Sequence, residues 1–231
     1  MTSRRLTSLS IACLALASLS LPAAASLTPR LFVNGTPMAY YDSALDISWL
    51  ADANYAQTVG APGSGSNGTF RSWYDAMAWV DDLSVNGVTG WRMPHMDTTC
   101  GFPNYGSCNR LLDEFHYLFM TELQGSYGYS ITDAHGPNYD LFRNIQSYVY
   151  WSETEFSVSP GWVSVWSSQA EYPGTAPKIP IFPVGAPYFV WAVHDGDVGA
   201  RPVISAPTTL MLVLLGLCAV QLSRRGNGTG A

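Results

Sequence analysis

The sequence predicts a single α+β domain, with two helices and short antiparallel strands, held between two terminal signals. Three observations lead there. The chain has 231 residues, of which 47% are hydrophobic and 12% charged, enough to bury one core. Apolar residues recur at helical spacing in two early segments, whereas later segments are β-branched, aromatic and alternating. Both ends carry apolar runs flanked by arginines and bounded by small residues or proline.

From the start of the chain, Arg4 and Arg5 precede an apolar run from Leu6 to Leu21, followed by Ala23-Ala24-Ala25. A basic start, a short apolar stretch and a small-residue cleavage site define a secretory signal peptide, residues 1–25. Leu31–Val33 and Met38–Tyr41 flank Asn34-Gly35, which predicts a hairpin, and Asp46–Leu50 predicts a third strand. Gln57–Thr69 is rich in glycine and serine and reads as a mobile surface loop.

Phe70, Trp73, Met77, Val80 and Leu83 then recur at helical spacing. Thr69 is the expected cap and Asn86-Gly87 the expected stop. Leu111, Leu112, Phe115, Leu118 and Phe119 predict a second helix, capped by Asn109 and ended at Gly125. After Gly136-Pro137 the segments Tyr148–Thr154, Trp162–Trp166 and Tyr188–Val193 read as strands, the last one buried. Pro173–Pro187 is expected to be irregular, with at most a short strand at Ile179–Phe182.

Near the end, Pro207 opens an apolar run of 16 residues that reaches Leu222 and is closed by Arg224 and Arg225. That is a little under the ~20 residues of a comfortable bilayer span, with the basic pair kept on the cytoplasmic side. Residues 205–231 are therefore read as a membrane-inserted sorting segment, leaving 26–204 as the mature domain.

Removing both ends leaves seven basic residues against all 17 acids, a net of −10 with histidine neutral, and all eight tryptophans. Lys178 is the only lysine. No basic footprint exists for nucleic acid. Such an acidic domain also repels anionic polymers unless a cation bridges them. Cys13 leaves with the signal and Cys218 lies in the apolar tail. Cys100 and Cys108 remain, and in an oxidising compartment they form one disulfide.

The terminal segment resembles the PEP-CTERM sorting signal of exported bacterial proteins. Ser205-Ala206-Pro207-Thr208-Thr209 stands for the proline motif, Leu210–Leu222 for the apolar helix and Arg224-Arg225 for the basic cluster. The resemblance implies processing by an exosortase and delivery to the cell surface or matrix. The motif lacks the eponymous Pro-Glu-Pro.

Within the domain, Tyr41-Asp42-Ser43-Ala44-Leu45-Asp46-Ile47-Ser48-Trp49-Leu50-Ala51-Asp52-Ala53-Asn54-Tyr55-Ala56 resembles the opening of the Lcl C-terminal domain family. Gly90-Trp91-Arg92-Met93-Pro94 is similar to its second block, where a Trp-Arg-Leu-Pro form is usual. Glu114–Phe119, Asn144–Ser152 and Val190–Val198 follow in order, so the resemblance covers roughly residues 38–198. His194 stands where that family commonly has arginine. The resemblance implies a C-type-lectin-like fold and an exported protein whose molecular function is not defined by the family. The second block also resembles one in formylglycine-generating enzymes, but Cys100 and Cys108 do not match their active-site region.

Candidate chemistry is sparse. His95, His116, His135 and His194 form no helical metal motif. Asp42, Asp46, Asp52 and Asn54, with Asp195 and Asp197, offer oxygens of the kind calcium takes, although Asp-Gly is also an ordinary turn. No cofactor is expected, with calcium as the one ion these segments suit. Trp162, Trp166, Tyr172 and Tyr188 are candidate sugar-stacking rings, against the default of core packing. Trp91 is assigned to the core, and Arg92 to a structural role pinning backbone carbonyls.

Glu153 and Glu155 alternate on one strand and would share a face, as glycoside hydrolysis by paired carboxylates needs. No nucleophile elbow or phosphate loop accompanies them. The leading expectation is a non-enzymatic exported binding domain for exopolysaccharide or a protein partner. A secreted polysaccharide hydrolase and a purely structural matrix protein are the alternatives.

Overall fold

A computed structural model describes residues 27–97, 111–155, 161–168, 172–177 and 186–199. Strands β1 (Leu27–Val33), β2 (Thr36–Asp42), β3 (Ile47–Leu50), β4 (Trp91–Arg92) and β8 (Val193–Asp195) form one antiparallel sheet in the order β1-β2-β3-β8-β4. The expected hairpin is β1–β2. Asn34 and Gly35 both take positive φ, at 50° and 82°, the backbone that joins right-twisted strands through two residues. A second sheet, β5 (Val149–Glu155), β6 (Trp162–Ser167) and β7 (Tyr172–Pro177), is also antiparallel. The two meet through residues 188–193, where Trp151 N donates to Phe189 O at 2.9 Å and Leu50 N donates to Ala192 O at 3.0 Å. Mixed helices and antiparallel sheets make this an α+β structure.

The helices form where expected but with different bounds. The first is α2 (Trp73–Asp81), preceded by a short α1 (Tyr55–Val59) that overlaps the start of the predicted loop. Ser72, not Thr69, caps α2 by accepting from Tyr74 N at 3.2 Å. Thr69 is instead drawn to Asn67, to whose Oδ1 it donates at 2.8 Å. The helix stops at Asp82, and Asn86-Gly87 makes a separate turn closed between Val85 and Val88.

The second predicted helix is only α3 (Glu114–Tyr117), capped by Asp113, which accepts from His116 N at 2.8 Å. It continues as one widened π-turn, Leu118–Glu122, that keeps Leu118, Phe119 and Glu122 buried. Leu111 and Leu112 lie before it and are 61% and 54% exposed, so they are not part of its apolar face. Asn109 lies outside the described residues.

Two further expectations are corrected. The proline-rich stretch contributes strand β7, with Pro173 opposite Trp166 and Pro177 opposite Trp162. Proline lacks an N–H, and among the described residues β7 has a neighbour on one side only, where that loss is tolerated. Tyr188–Val193 is not one strand but two isolated bridges followed by β8. Ile179–Phe182 lies outside the described residues, as do the signal peptide and the sorting segment. Among the described residues no helix is long and apolar enough to cross a membrane.

The core is aromatic. Trp49, Trp91, Trp151, Trp166 and Trp191 are essentially inaccessible, with Tyr150, Phe115 and Phe119 between them. Trp191 donates to Leu50 O at 2.8 Å, Trp151 to Phe70 O at 3.1 Å and Trp73 to Ser152 O at 2.8 Å. Each indole thereby ties a distant backbone while burying its ring, which is what makes large aromatics effective cross-links of a small core.

Candidate functional site

The surface over this core carries a groove made from the loop after α1, the outward side of α2, and the chain entering β5. Its middle is a cleft of about 600 Å³ lined by Ser64, Asn67, Thr69, Arg71, Asp75 and Pro187, among others. Gly63 and Asp75 also line a neighbouring depression of about 500 Å³, which ends on Trp79, Asp82 and Leu83. On the other side Asn67, Thr69 and Pro187 are shared with a third, of about 380 Å³, which adds Gln146, Ser147, Tyr148 and Phe189.

The groove is shaped from below. Buried Asn54 donates from Nδ2 to Asn67 O and to Gln57 Oε1, both at 3.0 Å. Gly68 follows at φ +80°, and a Cβ there would overlap Asn54 Oδ1 and the Gln57 backbone nitrogen. Only glycine lets the loop close on that amide. Phe70 then enters the core, exchanging both backbone hydrogen bonds with Tyr188 at 2.8 and 3.0 Å. The segment expected to be a mobile loop is therefore a hydrogen-bonded wall.

Helical spacing puts Arg71 just before α2 and Asp75 in its first turn, with Phe70 and Trp73 directed inward. Arg71 and Asp75 line the same cleft, yet neither forms an ion pair with a described residue. Trp79 is half-buried, its ring 5.4 Å from Phe70. Tyr148 is 39% exposed. The groove thus offers a guanidinium, two carboxylates, two amides and hydroxyls between two aromatic ends.

The other charged region is organised differently. Arg92 on β4 donates to both Glu114 oxygens, at 2.6 and 2.9 Å, and to Asp195 at 2.7 and 2.9 Å. Glu153 lies 3.8 Å from Arg92 and 3.6 Å from His95 Nδ1. Burial pulls the Arg92 pKa down, but Glu114, Asp195 and Glu153 outweigh it and hold the guanidinium above its ordinary range. Burial pushes the Glu153 carboxyl up, with Arg92 opposing. Glu114 also accepts from His95 N at 2.7 Å, so the pair fixes the Met93–Asp97 chain. Arg92 reaches one backbone carbonyl, Met93 O at 3.0 Å, so its structural role is chiefly to bind carboxylates.

The sequence-predicted stacking residues separate. Trp162 is 37% exposed on β6. Trp166 is fully buried, stacked 5.5 Å from Phe119, and has no face open to a ligand. It belongs to the core because β6 is covered on that side by the π-turn. Tyr188 is half-buried, edge-on to Trp151 at 4.7 Å. Tyr172 is on β7. An exposed ring in the groove is Tyr148, which the sequence offered only as the first residue of the expected strand Tyr148–Thr154.

The aspartates are committed to separate partners. Asp42 is fully buried, and its Oδ1 accepts from Ala44 N at 2.9 Å. Asp46 accepts from Tyr41 Oη at 2.7 Å. Asp52 accepts from Thr58 at 2.7 Å and from Asn144 at 3.0 Å. Asp195 serves Arg92, and Asp197 takes Arg30 at 2.6 and 2.7 Å. Among the described residues no three His, Cys, Asp or Glu groups are placed to hold a metal ion. Glu153 and Glu155 do not act as a matched pair. A bulge between Trp151 and Glu155 breaks the alternation, leaving Glu153 in the Arg92 cluster and Glu155 exposed. Cys100, Cys108, Pro207, Arg224 and Arg225 lie outside the described residues.

The chain matches no family model, no curated protein and no solved structure.

Proposed function

We propose that this is an exported, non-enzymatic binding domain of the bacterial cell surface or extracellular matrix, and that it holds polysaccharide in the groove along α2. The observation that carries this reading is the placing of Arg71 and Asp75, which have no ion-pair partner among the described residues, in one groove with the amides of Asn67 and Gln146 and the exposed ring of Tyr148. Sugars present hydroxyls to the first kind of group and apolar C–H faces to the second. The terminal signals support export, with an exosortase as the processing partner. The ordered blocks resembling the Lcl C-terminal domain family support a lectin-like domain.

The test is binding of the mature, oxidised protein to a panel of bacterial polysaccharides, with calcium and then with chelator. Saturable binding is expected. Absence of binding by folded protein would move the assignment to a structural matrix protein or one with a protein partner.

A hydrolase is the second reading, favoured by Glu153, which burial keeps more readily protonated than an ordinary glutamate. Turnover of polysaccharide that disappears in Glu153→Gln, with folding retained, would replace the binding assignment.

A further inference from the structure

We infer that the groove takes an internal stretch of an uncharged, linear glycan across several subsites, with Trp79 and Tyr148 as the terminal platforms. The inference rests on the glycan-binding reading above and adds the charge and form of the ligand. Form follows from the shape. The central cleft shares Gly63 and Asp75 with the depression ending on Trp79, and Asn67 and Thr69 with the one ending on Tyr148. These shared lining residues join the three into one track with an aromatic ring toward each end. A site for a terminal sugar needs one blind pocket, whereas a track with an aromatic at each end suits a chain that enters and leaves.

Charge follows from Arg71 and Asp75. They line the central cleft with opposite signs and no ion-pair partner among the described residues. A uronate chain meets Asp75 and then Asp82, within a chain carrying 17 acids against 11 bases. An amino-sugar chain meets Arg71. A neutral hexose hydroxyl satisfies both, accepting from the guanidinium and donating to the carboxylate. Opposite charges that line one cleft, with no ion-pair partner among the described residues, are therefore matched to a ligand that donates and accepts but carries no charge.

The experiment is calorimetric titration of the full mature protein with gluco-, manno- and galacto-oligosaccharides of one to six residues, and with oligouronates of the same lengths. Affinity for one neutral series is expected to rise about tenfold or more from monosaccharide to hexasaccharide, as added subsites engage. Tyr148→Ala, at an exposed position, should flatten the long end of that rise several-fold while leaving short oligomers bound. Trp79→Ala should do the same from the other end. Arg71→Ala with Asp75→Asn should weaken every length.

Equal affinity for the monosaccharide and the hexamer would overturn the several-subsite form. Preference for oligouronates, or for oligoglucosamines titrated beside them, would overturn the uncharged assignment. Both results would leave polysaccharide binding itself standing. Failure of every neutral and acidic oligomer to bind folded protein would remove the glycan reading and this inference with it.

Discussion

Arg92 and Arg71 are both arginines beside aspartate on the same domain, and they are used in opposite ways. Arg92 is surrounded by Glu114, Asp195 and Glu153, and two of these carboxylates take short hydrogen bonds from it. Its charge is spent on joining β4, β8, β5 and α3. Arg71 lies just before Ser72, the extended cap of α2, and lines a cleft with Asp75 of the first turn, and the two do not pair. A desolvated cation with satisfied partners holds a fold together, whereas an unpaired one in a concave polar surface remains available to a ligand. Charge alone does not reveal function; the state of its pairing does.

The sharpest way to break that contrast is Arg92→Met. It removes the partner of Glu114, whose side chain is only 10% exposed, and leaves an uncompensated buried carboxylate. Urea unfolding should show a loss of roughly 3–5 kcal/mol. A loss no greater than that of a surface substitution would mean the cluster is not structural.

Next is the pH dependence of the same region. Asp113 caps α3 immediately before Glu114, and burial pushes its carboxyl up to about 7. Because the folded state binds this proton more tightly than the unfolded chain, the contribution is fully present below about pH 4. It is lost as pH rises through about 7. The protein is expected to lose stability from this group between pH 4 and 8, by on the order of a few kcal/mol. Asp113→Asn retains a capping side chain and should flatten the curve. An unchanged pH profile would locate the titration elsewhere.

On the groove side the largest effect belongs to Gly68→Ala. Positive φ and the overlap with Asn54 together should cost about 1–3 kcal/mol and distort the cleft. Calorimetry and ligand binding should therefore fall together. Smallest in stability is Asp75→Asn, expected within about 0.5 kcal/mol of the native protein, as for exposed positions without partners, yet with ligand binding measurably weakened. That separation between stability and binding is the converse of Arg92→Met, and finding it reversed would undo the comparison.

Much of the fold was legible because its signals are local. Asn34-Gly35 between apolar runs specified the first hairpin. The spacing of Phe70, Trp73 and Val80 located α2. Errors arose where a local signal had a competitor. Thr69 is a good cap by type but is taken by Asn67, and Leu111 and Leu112 continue a helical pattern that Asp113 interrupts by capping one turn later. Trp166 and Trp162 are the same residue type on one strand, four positions apart. Only the covering π-turn makes the first core and leaves the second at the surface.

The sequence by itself determined an acidic, tryptophan-rich α+β domain, its early hairpin, its main helix and the arginine that would be structural. These depend on composition and on neighbours within a few positions. Tertiary structure alone decided which charges were paired. The carboxylates that bind Arg92 come from 22 and 103 positions away. The groove, likewise, exists because Asn54 holds Asn67 and because Phe70 meets Tyr188 across more than half of the domain. Pairing is a matter of a few ångströms in space, and chain separation does not encode such distances until the core has brought the segments together.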